Sequence, residues 1–161
     1  MHESNLWAAW TVRSHDALTA GLPSGLGLRD ASALTLIGSH PGCSADWLWA
    51  RIGLTQSGTV RLVDRLEGLG YVARERAGRS LRLSLLPAGE EALLAWNQAR
   101  EDASAAVLAG LTRAQRSQLA KLLELGLRGT ERVRVEADAT CRLCDWQACK
   151  RCPVDKSVRE P

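Results

Sequence analysis

The spacing of apolar and polar residues changes period along this chain, and the changes mark out its elements. From Leu6 to Ala20, the residues Leu6, Trp7, Trp10 and Leu18 fall near one face of a helix. Three Gly and one Pro between Gly21 and Gly27 interrupt it. A short helix is predicted from Asp30, a suitable N-cap, to His40, where Pro41-Gly42 stops it. Ser44 is placed to cap a further helix ending at Ile52, and Gly53-Leu54 makes a tight turn. The next helix, Thr55 to Gly68, carries Val60, Val63 and Leu66 as its expected buried stripe, with Arg61, Asp64 and Arg65 off it.

After Gly70 the period falls to two. Tyr71 to Arg76 is strand-like and Ala77-Gly78 can turn. Ser80 to Leu85 alternates strictly, with Leu81, Leu83 and Leu85 expected to face inward. Pro87 suits the first position of a long helix reaching about Ala109. Thr112 and Gln115 form a capping box for a last apolar helix with Leu119, Leu122, Leu123 and Leu127. Residues 130–140 are charged, and either continue that helix or link it to a cysteine-rich loop. Lys156 to Pro161 are expected to fray.

Two short helices joined by a Gly-containing turn, followed by a hairpin, form a helix-turn-helix with a wing. The second helix of such a pair is free to lie in the DNA major groove, because its outer face is not needed by the core. The outward residues expected there are Thr55, Gln56, Ser57, Gly58, Thr59 and Arg61. Charge is concentrated in the same region. Between Arg61 and Arg82 stand six Arg (61, 65, 74, 76, 79 and 82) against Asp64, Glu67 and Glu75, which matches the net charge of +3 for the whole chain. The planar guanidinium donates in pairs to phosphate oxygens. Arg65, Arg74, Arg76 and Arg79 therefore join the candidate DNA contacts.

Composition narrows the picture only a little. With 161 residues, 45% of them hydrophobic, there is enough chain for one core and a small appendage. There is no Phe and one Tyr, so Leu, Val and Ala fill most of the interior. No run approaches the ~18 apolar residues of a membrane span, and residues 1–5 lack a basic leader pattern. A cytoplasmic protein that does not bind membranes is expected. No nucleophile–base constellation or phosphate-binding Gly loop suggests an enzyme.

Four of the five Cys lie close together as Cys141, Cys144, Cys149 and Cys152, spaced C-x2-C-x4-C-x2-C and followed by Pro153. Four soft thiolates so close suit a metal centre. Zinc ranks first on base rates, since two CxxC knuckles can close a tetrahedral site, although paired knuckles are usually more than ten residues apart. An iron–sulfur cluster is the main alternative; the Cys-Pro ending resembles ferredoxin loops while the spacing does not. A metal-free thiol switch, aided by Arg142, Lys150 and Arg151, is the third. The loop comes after the last apolar helix, which would let it brace or adjust a dimer. Cys43 is expected to be a small buried residue, and His15 and His40 surface or cap residues. Trp7, Trp10, Trp47 and Trp49 serve the core or line a ligand pocket.

The segment from Ile52 to Val72, with its Val63-Asp64-Arg65-Leu66-Glu67 core and the Gly-hydrophobic-Val run into the strand, resembles the recognition-helix region of MarR-type transcriptional regulators. Leu83 to Gly89 looks like that family's strand-to-helix junction. The resemblance spans about Asp30 to Leu127. It implies a winged-helix homodimer whose first and last two helices share an interface, a pseudo-palindromic operator, repression, and release by a small-molecule effector or oxidant. Two departures stand out: no acidic residue stands two before Arg79, and Leu86 occupies the place of the usual Ser or Thr before Pro87. Independently, the apolar faces of the last two helices exceed what one small winged domain covers.

The expected architecture is mainly α with a small β-hairpin wing. A helical dimerisation region comprises residues 1–29 and 87–140, a winged helix-turn-helix residues 30–86, and a four-cysteine metal loop residues 141–155. The expected function is sequence-specific regulation through double-stranded DNA, with the cysteines bracing or sensing. The alternative is a metal-stabilised interaction module that docks a protein partner.

Overall fold

The computed structural model of the chain describes residues 1–78 and 80–159; Arg79, expected at the hairpin tip, lies outside the described residues. The elements run α1 (His2–Ala20), α2 (Leu28–Ser39), α3 (Ala45–Ile52), α4 (Gln56–Gly68), β1 (Val72–Ala77), β2 (Ser80–Leu85), α5 (Pro87–Val107), α6 (Arg113–Arg128), α7 (Arg134–Thr140) and a 3-10 turn at Asp155–Ser157. This is a mainly helical fold with one antiparallel hairpin, as the change of period predicts. Ser44 caps α3 by accepting from the Trp47 amide at 3.1 Å. Thr55 caps α4 from the Gly58 amide, also at 3.1 Å. The Thr112–Gln115 box closes in both directions.

The core gathers Leu34, Leu36 and Ile37 of α2, Leu48 and Ile52 of α3, Val63 and Leu66 of α4, Val72, Leu83 and Ala92. Three local expectations change. The buried stripe of α4 is Thr59, Val63 and Leu66, while Val60 is 45% exposed. Thr59 is able to go inward because its hydroxyl donates to the Thr55 carbonyl at 3.1 Å and so stays satisfied. Asp30 is not the N-cap of α2 but sits inside the first turn of the helix. Its carboxylate accepts from the Gly27 amide at 2.6 Å, which moves the start of the helix back to Leu28. In the hairpin, Leu81 shares a face with Leu83 and Leu85 but is 48% exposed, because the tip extends past the core.

β2 gains a second neighbour. Gly42 donates to the Leu83 carbonyl and Leu83 to the Cys43 carbonyl, each at 2.8 Å, so the loop before α3 is stitched to the wing. Cys43 is only half-buried there. Its thiol is pushed up to about 11, chiefly by desolvation, which argues against a thiolate activated by the start of α3. At the other end of the hairpin, Leu86 starts α5 without a side-chain cap and Pro87 takes the first turn. Gly89 is required by close packing: a Cβ there would stand 2.1 Å from the Tyr71 carbonyl oxygen.

The C-terminal segment departs most from expectation. α6 stops at Arg128, and residues 130–133 form a link whose Arg132 pairs with Val158 in a parallel bridge. Arg132 donates to the Leu127 and Thr130 carbonyls and to the Ser157 hydroxyl. Backbone bonds from Arg132 to Ser157 and from Arg159 to Arg132 hold the tail through residue 159, so the expected fraying at Lys156 to Arg159 is absent; residues 160–161 lie outside the described residues. α7 packs chiefly on α3. The cause is one buried ion pair: Arg51 Nε donates to Asp138 Oδ2 at 2.8 Å, with side chains 9% and 2% exposed. The guanidinium also lies 4.0 Å from the centre of the Trp47 ring.

Gly89→Ala should lower the unfolding free energy by about 1–3 kcal/mol through overpacking, whereas Gly68→Ala, which meets nothing within 4 Å, should be neutral or stabilising by up to about 1 kcal/mol; paired thermal melts check both. Asp138→Ala leaves a buried guanidinium unpaired and should cost about 3–5 kcal/mol in urea unfolding, while Arg51→Met combined with Asp138→Leu should recover most of the loss.

Candidate nucleic-acid interface

α4 owes its position to its inner face. Thr59, Val63 and Leu66 anchor it to the core, which turns Gln56, Ser57, Val60 and Arg61 outward together. These four line one shallow surface. Among the described residues Arg61 and Arg76 make no ion pair, so both guanidinium groups are free for phosphate or base edges. Arg76 stands exposed on β1 towards the tip. Val60 is the one member of this face that hydrophobicity alone puts in the buried stripe. Its spacing from Gln56, Ser57 and Arg61 is the signal that it shares their face, and an apolar side chain there suits a thymine methyl group.

The other expected contacts have structural work within the chain. Thr55 is exposed, but its hydroxyl caps α4. Gly58 serves that cap first, since a Cβ would lie 3.0 Å from Thr55 Oγ1. Thr59 is 1% exposed and is not available to DNA. Arg65 pairs with Asp30 at 2.5 Å and donates to the Gly25 carbonyl, tying α4 to the start of α2. Arg74 bridges Asp64 at 2.5 Å and Glu67 at 3.1 Å, fastening the wing to α4. The Arg excess is legible in the sequence; which arginines it leaves unpaired depends on contacts 7 to 35 residues apart.

The four C-terminal cysteines do come together. Cys141, at the end of α7, and Cys144, Cys149 and Cys152 line one pocket with Asp138, Trp146, Lys150 and Asp155. Cys141 Sγ and Cys152 Sγ are 3.9 Å apart. The Cys144 amide donates to the Cys141 carbonyl and the Asp155 amide to Cys152 Sγ at 3.4 Å. Cys144 is lowered to about 7 because the Cys141 thiol donates to it, with Arg100 adding positive charge. Cys141 is raised by that same donation, then by burial and by Cys152. Burial, and then Cys152, raise Cys149. Among the described residues no three His, Cys, Asp or Glu side chains already converge in a geometry that holds an ion. The thiols are gathered, not closed.

The loop is anchored by Trp146. Its ring packs against the core and meets His40 edge-on at 4.9 Å, and its indole N–H donates to the Cys141 carbonyl at 2.9 Å. His40 in turn lies 4.4 Å from Trp47; half-buried, it is the C-cap of α2, as expected, and also packs between the two indoles. The four Trp do not share one pocket among the described residues. Trp10 lines an apolar groove with α5 and α6, Trp47 joins the core, and Trp7 and Trp49 are exposed.

A family model described as MarR family matches residues 24–82. No curated protein sequence matches the chain. Among solved structures, a Mycobacterium tuberculosis MarR family protein in complex with p-aminosalicylic acid is similar at 28% identity and TM-score 0.63, covering 75% of this chain and 95% of that one. The same protein in complex with DNA aligns at 26% identity and TM-score 0.66, covering 75% and 94%. The oxidized form of MarR from Escherichia coli shares the fold at 20% identity and TM-score 0.67, covering 77% and 93%. Residues 24–82, which hold the outward α4 face and most of the wing, match the MarR family model, and the chain shares its winged-helix fold with solved MarR-type proteins.

Proposed function

We propose that the protein is a cytoplasmic repressor that binds a pseudo-palindromic operator as a homodimer and is released by a small apolar acid. The observation that carries this reading is the division of labour on α4. Its inner face is consumed by the core, while Gln56, Ser57, Val60 and Arg61 are held out on a rigid helix. Arg61 and Arg76 then supply phosphate contacts on either side of the groove.

The dimer reading rests on two helices that bury nothing. Neither α1 nor α6 has a buried residue. Leu6, Trp7, Val12, Leu122, Leu123 and Leu125 are all exposed. An apolar groove lined by Leu6, Trp7, Trp10, Leu119, Leu122 and Leu123 runs between the two helices. Surface of that extent is covered by a second copy in a stable protein. The two-fold that results sets half-sites about 34 Å apart. For the effector, the groove of about 260 Å³ between α1, α5 and α6 offers apolar walls from Trp10, Leu18 and Val107, with Arg100 and Arg116 at its margin. That chemistry suits an aromatic carboxylate. The p-aminosalicylic acid complex of the mycobacterial relative supports the same class.

Selection from a random duplex library with the full chain should enrich a two-fold-related sequence. Arg61→Ala should then weaken binding to it by about 1–3 kcal/mol, with a smaller salt slope; absence of any enriched sequence, with or without bound metal, would refute the reading. Leu122→Lys combined with Leu123→Lys should shift the sedimentation coefficient from dimer to monomer and abolish operator binding, while the far-ultraviolet circular dichroism stays unchanged.

A further inference from the structure

We propose that Cys141, Cys144, Cys149 and Cys152 bind one Zn2+ per chain, and that the ion fastens α7 and the cysteine loop onto α3, so that zinc occupancy governs the placement of the DNA-reading helix pair. The second half rests on the DNA-binding reading above; the first half does not.

The donor set and its spacing carry the site. A tetrahedral zinc with sulfur at about 2.3 Å has its sulfurs about 3.8 Å apart. Cys141 Sγ and Cys152 Sγ stand at 3.9 Å, already the spacing such an ion requires. A [4Fe–4S] cube puts each ligating sulfur on a separate iron at the corner of a larger cage, so a pair at this separation disfavours it; a [2Fe–2S] centre holds two Cys on one iron at similar spacing and is separated from zinc by its colour and iron content. Cys144 and Cys149 are exposed on the rim of the same pocket, and closing the site turns their side chains inward over the ion. Four thiolates around Zn2+ carry two net negative charges, and Arg100 and Lys150 lie beside the pocket to balance them, while Arg134 is taken by Asp155 and Asp138. The Asp155 amide already donates to Cys152 Sγ, the kind of bond that holds a ligating thiolate in place. Asp138, 2% exposed, faces the same pocket, its Oδ1 accepting no hydrogen bond and meeting only the Arg134 guanidinium, at 3.7 Å.

The coupling follows from what the loop touches. Cys141 ends α7, and one turn earlier on the same helix Asp138 pairs with Arg51 of α3. Trp146, between the two Cys pairs, stacks on His40, which stacks on Trp47 of α3. α3 is the first helix of the helix-turn-helix and packs directly on α4. A loop of this size has little core of its own, so zinc ligation is what would order it. Docked and undocked tails are the two states, and a zinc-ordered loop favours the docked one through Trp146.

The test uses full-length protein stripped of metal with a chelator without oxygen. Zn2+ titration should end at one ion per chain, Co2+ in its place should give the absorption of a tetrahedral thiolate site, and Cys149→Ser with Cys152→Ser should lose both. Zinc should raise hydrogen-exchange protection in α3 and α7, and removing it should weaken binding to the selected duplex roughly 5- to 150-fold. Trp146→Gln should keep the stoichiometry and lose the zinc-dependent protection of α3. No zinc uptake, or a brown iron-loaded protein, overturns the site. Uptake with no change in α3 overturns the coupling. Uptake with added α3 protection, but no duplex bound in either state, leaves the site standing and removes the DNA-binding reading. Duplex bound equally with and without zinc leaves the DNA-binding reading standing and removes the coupling.

Discussion

One buried ion pair organises the relation between the two ends of this molecule. Arg51 and Asp138 are 87 residues apart in sequence and both nearly inaccessible. Neither charge is tolerable there alone, so α7 must sit on α3 or the charge must be hydrated. The Arg51 guanidinium adds a bond to the Trp47 carbonyl and a stack on the Trp47 ring, which fixes it against its own helix. Asp138 is thereby given one docking position. The tail is placed by this specific polar contact together with the packing of Trp146 on the core, which suits a segment with few large apolar residues of its own.

Around that pair the winged helix is built in the ordinary way. α2, α3 and α4 share one core, and β1–β2 closes it. The polar contacts at the edge of this core then decide which surface remains. Asp30 takes Arg65, and Asp64 with Glu67 take Arg74. Two arginines that would otherwise spread positive charge over the face are neutralised, and the remaining charge is focused on Arg61 and the hairpin. A DNA-facing helix benefits from that arrangement, because paired arginines fix the wing and the helix start while unpaired ones carry affinity.

The helices, the hairpin and their caps are legible in the sequence because they depend on local spacing. Thr55, Ser44, Thr112 and Pro87 act within four residues of themselves. Burial is less legible. Hydrophobicity favours Val60 over Thr59 for the inner stripe of α4, and the structure reverses that order because the Thr hydroxyl satisfies itself on the preceding turn. Alternation puts Leu81 on the inward face, but it does not tell how far the core extends beneath the hairpin. The gathering of four cysteines can be read from their spacing. That they gather against α3 cannot, because it depends on Asp138 in a charged stretch that resembles a linker, and on Trp146 reaching His40.

The central claim is that the tail and the DNA-reading helices act as one unit through Arg51 and Asp138. A double-mutant cycle on these two residues, read out as affinity for the selected duplex, tests it most directly. The account predicts that each single apolar replacement weakens binding and that the double variant weakens it less than the sum, with a coupling in the range of about 0.5–3 kcal/mol. Additive effects, or single variants that bind as the parent does, would contradict it.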